Sequence, residues 1–548
     1  MNSINLILAV VFVGLYTTSL IWFCRRALHI FQLEEYQPSR LIHWAIGSRK
    51  RLFGPNLIAA TLIALVLVMI ATLFTNSIRA NLLISSSLCF IATLRTHQEI
   101  PEAKKPLVYT NRAKRIICAA SLLALMLSVL FAFLIGSNNQ LFLQAILNSV
   151  IIIAAPILAI ACLLLGNLIL TPVETIIRWR YEQSARSILA ENNKLIKIGI
   201  TGSYGKTTTK VITSHFLQSK YNTLPTPQSY NTFLGIVRAI RENLKPFHQV
   251  FVVEMGAYVP GEIKKICNLV HPDLAVITEV GPQHLERFGT LDAVARAKYE
   301  IVQGLPPHGT LVIYADNPLC AALADRAKNE GHPVLKYGIT SYNSLLDASA
   351  SDIEYSINGT SFQLQVEGEI PRKVQIPLLS FHNVLNVLAA TLVALQFDIS
   401  LDEIVRNYSS IPAIPHRLQL IKTENGITII DDSYNSNIVG VHNALDLLEK
   451  IAAAGKIIVT PGIIELGEVE YEENYRFGEH IARVCSHVIL VGLKQTQPIQ
   501  AGLQSCNFPS DRMMVVPDLK EATKELAHIT SPGDTVLFSN DLPDNYSE

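Results

Sequence analysis

The sequence predicts an α-helical membrane region followed by two α/β domains, the first a P-loop-type, mostly parallel sheet of the ATPase kind and the second Rossmann-like. Three observations carry this. Long apolar runs crowd the chain as far as Leu170. From Ile196 onward, short β-type runs alternate with helical patterns, which builds a parallel sheet covered by helices. One such run ends in a glycine loop, Lys197-Ile-Gly-Ile-Thr-Gly-Ser-Tyr-Gly-Lys-Thr-Thr-Thr-Lys210, that opens into a helix. The expected boundaries are 1–175, 176–413 and 414–548, with Ile411-Pro-Ala-Ile-Pro415 as the linker between the α/β domains.

The chain's 548 residues exceed a single domain. Lys+Arg and Asp+Glu both total 45, so no global field favours nucleic acid. Charged residues make up 16% and the mean hydropathy is +0.31, which suits a chain part membrane and part soluble. The eight cysteines form no C-x-x-C pair, and Cys24, Cys89, Cys118 and Cys162 fall in or beside apolar runs. That points to a reducing compartment without a zinc or disulfide framework.

Five spans are expected, at 4–23, 56–74, 82–94, 116–135 and 141–170. The first is too long for a signal-peptide core and lacks a basic flank and a cleavage site. The third is short, either a tilted span or a re-entrant segment, and Pro156 is expected to kink the fifth. Arg25, Arg26, Arg40, Arg49, Lys50 and Arg51 lie in the first loop, and Lys104, Lys105, Arg112, Lys114 and Arg115 in the third. The other two loops are nearly bare. Basic loops stay cytoplasmic, so everything after Thr171 is expected in the cytosol of a multi-pass bacterial inner-membrane protein. Segments 29–38 and 41–45 are amphipathic and either lie along the interface or pack on the helices.

In the glycine loop, backbone N–H groups and the following helix N-terminus can surround an anion. Lys206 would reach the outer phosphates and the Thr207 hydroxyl would take one Mg²⁺ position. The strict pattern wants glycine at position 200, where Ile200 stands. An ordinary glycine turn is the plainer alternative, but Gly-Lys-Thr between strand and helix favours a phosphate loop.

Strands are expected at 197–200, 250–253, 274–277 and 311–314, with helices beginning near Lys206, Thr232, Pro260, Leu291 and Pro318. The prolines occupy first-turn positions. Two-residue alternation over 353–376 predicts an antiparallel patch, and a helix follows at 382–395. The rhythm restarts at 427–430, 457–460, 488–491 and 535–538. Glu254 ends a hydrophobic strand, as a metal-holding carboxylate would; a capping or salt-bridged Glu is the alternative. His284 follows strand 274–277 at the sheet edge where ligands of such folds bind. By spacing alone, Lys298 is a solvated helix lysine.

Taken together, ordered segments resemble the muramyl-peptide (Mur) ligases over roughly residues 195–540, and within them the branch that adds D-alanyl-D-alanine. They are Gly202-Ser-Tyr-Gly-Lys-Thr-Thr208, Tyr230-Asn-Thr-Phe-Leu-Gly-Ile236, Glu254-Met-Gly-Ala257, Pro260-Gly-Glu262, His284-Leu-Glu286 and Phe288-Gly289. Ala295-Arg-Ala-Lys-Tyr-Glu300, His382-Asn-Val-Leu-Asn386, Asp431-Asp-Ser-Tyr-Asn-Ser-Asn437 and Glu465-Leu-Gly467 complete the set. The resemblance implies ATP, two Mg²⁺ ions and an acyl-phosphate route to an amide bond. It implies that Gly202, Ser203, Tyr204, Gly205, Lys206, Thr207 and Thr208 hold the phosphates, and that Asn383 and Asn386 contact adenine. Arg417 and Asp432 would reach the nucleotide from the C-terminal domain. Thr207 and Glu254 would share one metal, and His284 and a carbamylated Lys298 would serve a second; Lys206, His284 and Lys298 are thus the implied catalytic set. Asn231, Tyr434 and Asn435 would face the substrate. The expected partners are an envelope precursor, an amino acid or dipeptide, and the membrane, with no nucleic acid. Membrane spans stand where the family has a soluble UDP-binding domain, which points to a lipid-linked acceptor or another envelope polymer. A transport ATPase and an inactive scaffold are the alternatives from other classes.

Overall fold

The computed structural model describes residues 3–34, 36–47, 58, 59, 62, 63, 66, 107–137, 141–227, 230–282, 288–339, 346–356, 359–413, 415–433, 438–464 and 466–540. The chain divides into two compact units, one helical and ending at Arg180, the other beginning at Tyr181.

Four described helices build the first unit: α1 (Ser3–Leu33), α2 (Pro38–Gly47), α3 (Asn111–Ser137) and α4 (Leu141–Glu191). Helix α1 contains the expected span 4–23, and α3 contains 116–135. Of spans 56–74 and 82–94, only residues 58, 59, 62, 63 and 66 are described. Helix α4 runs through Pro156 and Pro172 as one element, well past Leu170. Phe12, Tyr16, Leu20 and Phe31 pack against Ala120, Ala124, Ala155 and Ala159, whose small side chains let the helices approach closely. The Tyr16 hydroxyl donates to the Ile151 carbonyl at 2.9 Å. Leu122, Met126, Val129 and Phe133 of α3, and Ile157, Leu165, Leu168 and Ile169 of α4, remain exposed. Among the described residues, the segments Asn111–Leu134 and Val150–Glu191 are long and apolar enough to cross a membrane.

The second unit holds two sheets. In the larger, the order is β2 (Thr223–Pro225), β3 (Val250–Glu254), β1 (Ile196–Thr201), β4 (Leu274–Ile277), β5 (Thr310–Tyr314), β6 (Val334–Gly338), β7 (Ala348–Ser356), β8 (Gly359–Val366), β9 (Arg372–Ile376). Pairing is parallel from β2 to β7 and antiparallel through β8 and β9, as the alternating pattern predicts. All five residues of β3 are buried, as expected where helices cover both faces. Those helices are α5 (Lys206–Leu217), α6 (Phe233–Asn243), α7 (Glu262–Val270), α8 (Leu291–Gln303), α9 (Pro318–Asn329), α10 (Phe381–Leu395) and α11 (Leu401–Tyr408). Pro318 does occupy the first turn of α9. Pro260 does not open α7: the helix starts at Glu262 behind Gly261, whose φ of 92° needs glycine. Strand β1 pairs with β3 on one side and β4 on the other, so the chain reverses direction of winding at its carboxyl end. A crevice forms at such a point.

The smaller sheet has the order β10 (Gln419–Lys422), β11 (Thr428–Asp432), β15 (Thr535–Ser539), β12 (Lys456–Thr460), β13 (His487–Val491), β14 (Met513–Val516). Only β10 runs antiparallel to its neighbour. Helices α12 (Ile438–Lys450), α13 (Glu470–Val484), α14 (Gln497–Ser505) and α15 (Leu519–Ile529) cover it.

Candidate active site

The glycine loop leaves β1 at the switch point and enters α5 through Gly205, whose φ is 76°. A Cβ on Gly205 would run into the Asn386 side chain, and one on Gly202 into the Thr278 hydroxyl. Both glycines therefore let the loop lie against its neighbours. The Ser203 N–H donates to the Glu279 carbonyl at 2.6 Å, and its hydroxyl exchanges hydrogen bonds with Gly281 at 3.0 Å. The Tyr204 carbonyl accepts from the Thr278 hydroxyl, and the Tyr204 ring covers Gly281. Lys206 Nζ curls back onto the carbonyls of Gly202 (2.8 Å) and Ser203 (3.0 Å). Burial lowers its pKa to about 8, against the pull of Glu254 and with a push from Arg417.

Glu254, at the end of β3, gathers four groups. Its Oε1 accepts from the Thr207 hydroxyl and the Asn231 amide, each at 3.1 Å, and Lys210 Nζ stands 3.1 Å from Oε2. Its backbone N–H donates to the Thr226 hydroxyl at 3.2 Å. Burial opposes ionisation, but Lys210, Lys206 and the Asn231 hydrogen bond outweigh it and hold the carboxyl below its usual value. The metal-holding and salt-bridged readings of Glu254 are thus compatible. Lys210 was not singled out in the sequence, although it stands one helical turn after Lys206.

Lys298 is not a solvated helix lysine. It is 3% exposed on α8, and burial, with Lys206 nearby, lowers its pKa to about 7 against Glu262 and Glu300. Asn383 and Asn386 both lie on the buried face of α10 beside α5. Thr209 Oγ1 donates to Asn386 Oδ1 at 3.1 Å, Asn386 to Asn383 at 3.3 Å, and Asn383 to the Leu379 carbonyl at 2.6 Å. Thr208 is buried beside them.

From the smaller sheet, Asp432 (1% exposed) accepts the Leu418 N–H at 3.1 Å, and Asp431 holds His416 at 2.7 Å. Arg417 sits between His416 and Leu418, both with left-handed backbones (φ 61° and 49°). Two polar side chains absent from the expected set join the sheets. His382 Nδ1 lies 3.8 Å from Glu279 Oε2, and its Nε2 lies 2.6 Å from the Asn443 amide nitrogen on α12. Burial pushes the Glu279 carboxyl up to about 7. His284, Tyr434, Asn435 and Glu465 lie outside the described residues.

Residues 200–394 match the Mur ligase middle domain, and 416–540 match the Mur ligase glutamate ligase domain. The UDP-N-acetylmuramoyl-tripeptide–D-alanyl-D-alanine ligase of Bacillus subtilis is 31% identical over 363 residues, covering 65% of this chain and 75% of that one. The chain belongs to the Mur ligase family. The Escherichia coli enzyme of the same name is also 31% identical, covering 61% of this chain and 72% of its own. Among solved structures, MurF from Acinetobacter baumannii aligns with a TM-score of 0.59 at 27% identity, covering 67% of this chain and 78% of that one. MurF from Thermotoga maritima in complex with ADP gives 0.57 at 26%, covering 66% and 80%. As a Mur ligase, the protein is an ATP-dependent amide ligase of cell-wall synthesis, so the transporter and scaffold alternatives fall away.

Proposed function

We propose that the protein joins D-alanyl-D-alanine, or a similar amino acid or dipeptide, to the carboxylate of an envelope precursor at the cytosolic face of a bacterial inner membrane. The observation that carries this is the convergence of Lys206, Thr207, Asn231 and Glu254 at the carboxyl ends of β1 and β3. An amine cannot displace oxide from a carboxylate at neutral pH. Phosphorylation by ATP makes the carboxylate an acyl phosphate, from which the amine displaces phosphate and leaves an amide. Lys206 swings from the loop carbonyls to the phosphates, and the N–H groups at the start of α5 receive them. Asn383 and Asn386 frame the adenine side. Arg417, with Asp432 fixing its loop, approaches from the smaller sheet, whose closure excludes water. Tyr434 and Asn435, outside the described residues, would serve the substrate side by the family resemblance.

The Thr207 hydroxyl and Glu254 carboxylate are hard oxygen donors facing one another at 3.1 Å, which fits Mg²⁺. Bound there, the ion supplies charge neutralisation for the phosphates. As a carbamate, Lys298 would offer a second metal site, with His284, the hard oxygen donors that Mg²⁺ prefers over an amine. Its burial beside Lys206 supports that modification.

The domains of this reading are a membrane region at 1–175, a central P-loop-type domain at 176–413 and a Rossmann-like C-terminal domain at 414–548. The exposed apolar faces of α3 and α4 support the membrane region, and with it a lipid-linked acceptor over a UDP-linked one. The test is product formation by the detergent-purified chain with Mg-ATP and D-alanyl-D-alanine, offered UDP-linked muramyl-tripeptide or its lipid-linked counterpart, with Lys206→Ala as control. Amide product from the lipid-linked acceptor alone supports the reading. Product from the UDP-linked acceptor alone removes the lipid-linked part, and product from neither removes the assigned substrates.

A further inference from the structure

One polar cluster of the helical unit has no part in the ligase site. Near the end of α1, the Gln32 side chain grips the Val108 backbone, donating to its carbonyl at 2.9 Å and accepting from its N–H at 3.0 Å. This fixes the entry to α3, where the Thr110 hydroxyl accepts from the Ala113 N–H at 3.2 Å. In the first turn of α3, the Arg112 guanidinium lies 4.2 Å from the centre of the Tyr36 ring. Among the described residues, its Nε is buried without a hydrogen-bond partner. Arg115 pairs with Glu174 of α4 at 2.7 Å. Arg178, one turn beyond Glu174, is exposed and close enough for its charge to act on Arg112.

Three guanidiniums therefore cluster with the Glu174 carboxylate, with which Arg115 pairs directly. A buried guanidinium nitrogen without a hydrogen bond is costly, and an anion relieves a cluster of like charges around it. Guanidiniums match phosphate oxygens in a way that a point charge does not. The flanks add a second requirement: Val108, Tyr109, Val173, Ile176 and Trp179 are exposed beside the charges. Apolar and aromatic side chains next to basic ones are the pattern of a membrane–water boundary.

We propose that Arg112, Arg115 and Arg178 bind the phosphate or pyrophosphate of a lipid headgroup at the cytosolic leaflet. This rests on the reading of the helical unit as membrane-embedded and holds whichever acceptor the ligase site uses. A phosphate oxygen bonds the terminal nitrogens of Arg112 and the exposed Arg178, while Glu174 keeps Arg115 oriented.

The test uses the full chain in detergent and native mass spectrometry, with phosphatidic acid, phosphatidylcholine or inorganic pyrophosphate as probe. Phosphatidic acid is expected to bind about tenfold more tightly than phosphatidylcholine, and pyrophosphate to compete with it weakly. The double variant R112Q/R178Q should lose that preference while still binding nucleotide. R178Q alone, at an exposed position, should lose about threefold and covers the case in which the double variant fails to fold. Equal binding of the two lipids, or an unchanged preference in R178Q and the folded double variant, overturns the proposal. Pyrophosphate binding as tightly as phosphatidic acid overturns the lipid part and assigns the cluster to a soluble anion. Alkaline extraction separates the failures: release from membranes removes the membrane reading itself, whereas retention without a lipid preference removes only this inference.

Discussion

Lys210 Nζ and Glu254 Oε2 stand 3.1 Å apart with both side chains 2% exposed, so the carboxylate expected to serve the metal is held ionised by a buried lysine behind it. Removing one partner of a buried pair strands the other charge, at a cost of about 3–5 kcal/mol. Lys210→Met is therefore expected to lower the unfolding midpoint sharply and to raise the Mg²⁺ concentration needed for half-maximal activity. Lys210→Met/Glu254→Gln should recover most of the stability and none of the activity. Denaturant unfolding and a Mg²⁺ titration check this; a stable single variant with normal Mg²⁺ dependence contradicts it.

Glu279 gives a pH signature. Its folded-state pKa is raised by burial to about 7 from 4.5, so its contribution to stability is fully present below about pH 4.5 and is lost as pH rises through 7. By pH 8 the loss is up to about 3 kcal/mol. Glu279→Gln should then unfold at a higher temperature than the parent at pH 8 and near the same temperature at pH 5. Equal shifts at both values would exclude the ionisation as the cause.

Gly205→Ala is expected to weaken ATP binding about tenfold or more, because a left-handed backbone costs an alanine about 1–2 kcal/mol and its methyl collides with Asn386. Fluorescent-nucleotide titration measures the effect.

Arg417→Gln should lower kcat by about a hundredfold, as losing one donor to developing charge does, with little change in melting temperature. Its two left-handed neighbours, His416 and Leu418, are held by Asp431 and Asp432. A large loss of stability would recast Arg417 as structural.

The parallel sheet was legible because its strands are buried on both faces and read as unbroken apolar runs, β3 above all. The glycine loop was legible because a left-handed backbone held close against Asn386 at Gly205 favours glycine. Strands β2, β6, β10 and β14 escaped notice because most of their residues are only partly buried, unlike those of β3. Lys298 was misread from spacing because helical periodicity shows which residues share a face, while its burial depends on strands that arrive from elsewhere in the chain. Lys210 was missed for the same reason: its partner lies 44 positions away in sequence (254 − 210) and becomes visible only when β3 is laid beside β1. The His382–Asn443 contact joins two domains, and no local signal marks such a pairing.

The placement of β15 between β11 and β12 bears on biosynthesis. Thr535–Ser539 occupies an interior position of its sheet, hydrogen-bonded on both sides. While the ribosome still holds that segment, β11 and β12 have each emerged with one edge unmatched, and their backbone polar groups await a neighbour. The smaller sheet therefore closes only after translation has passed Ser539, while the larger sheet, complete by Ile376, has long been free to fold. Chains interrupted before Thr535 would carry a folded nucleotide domain and an open, sticky sheet, a natural target for quality-control proteases.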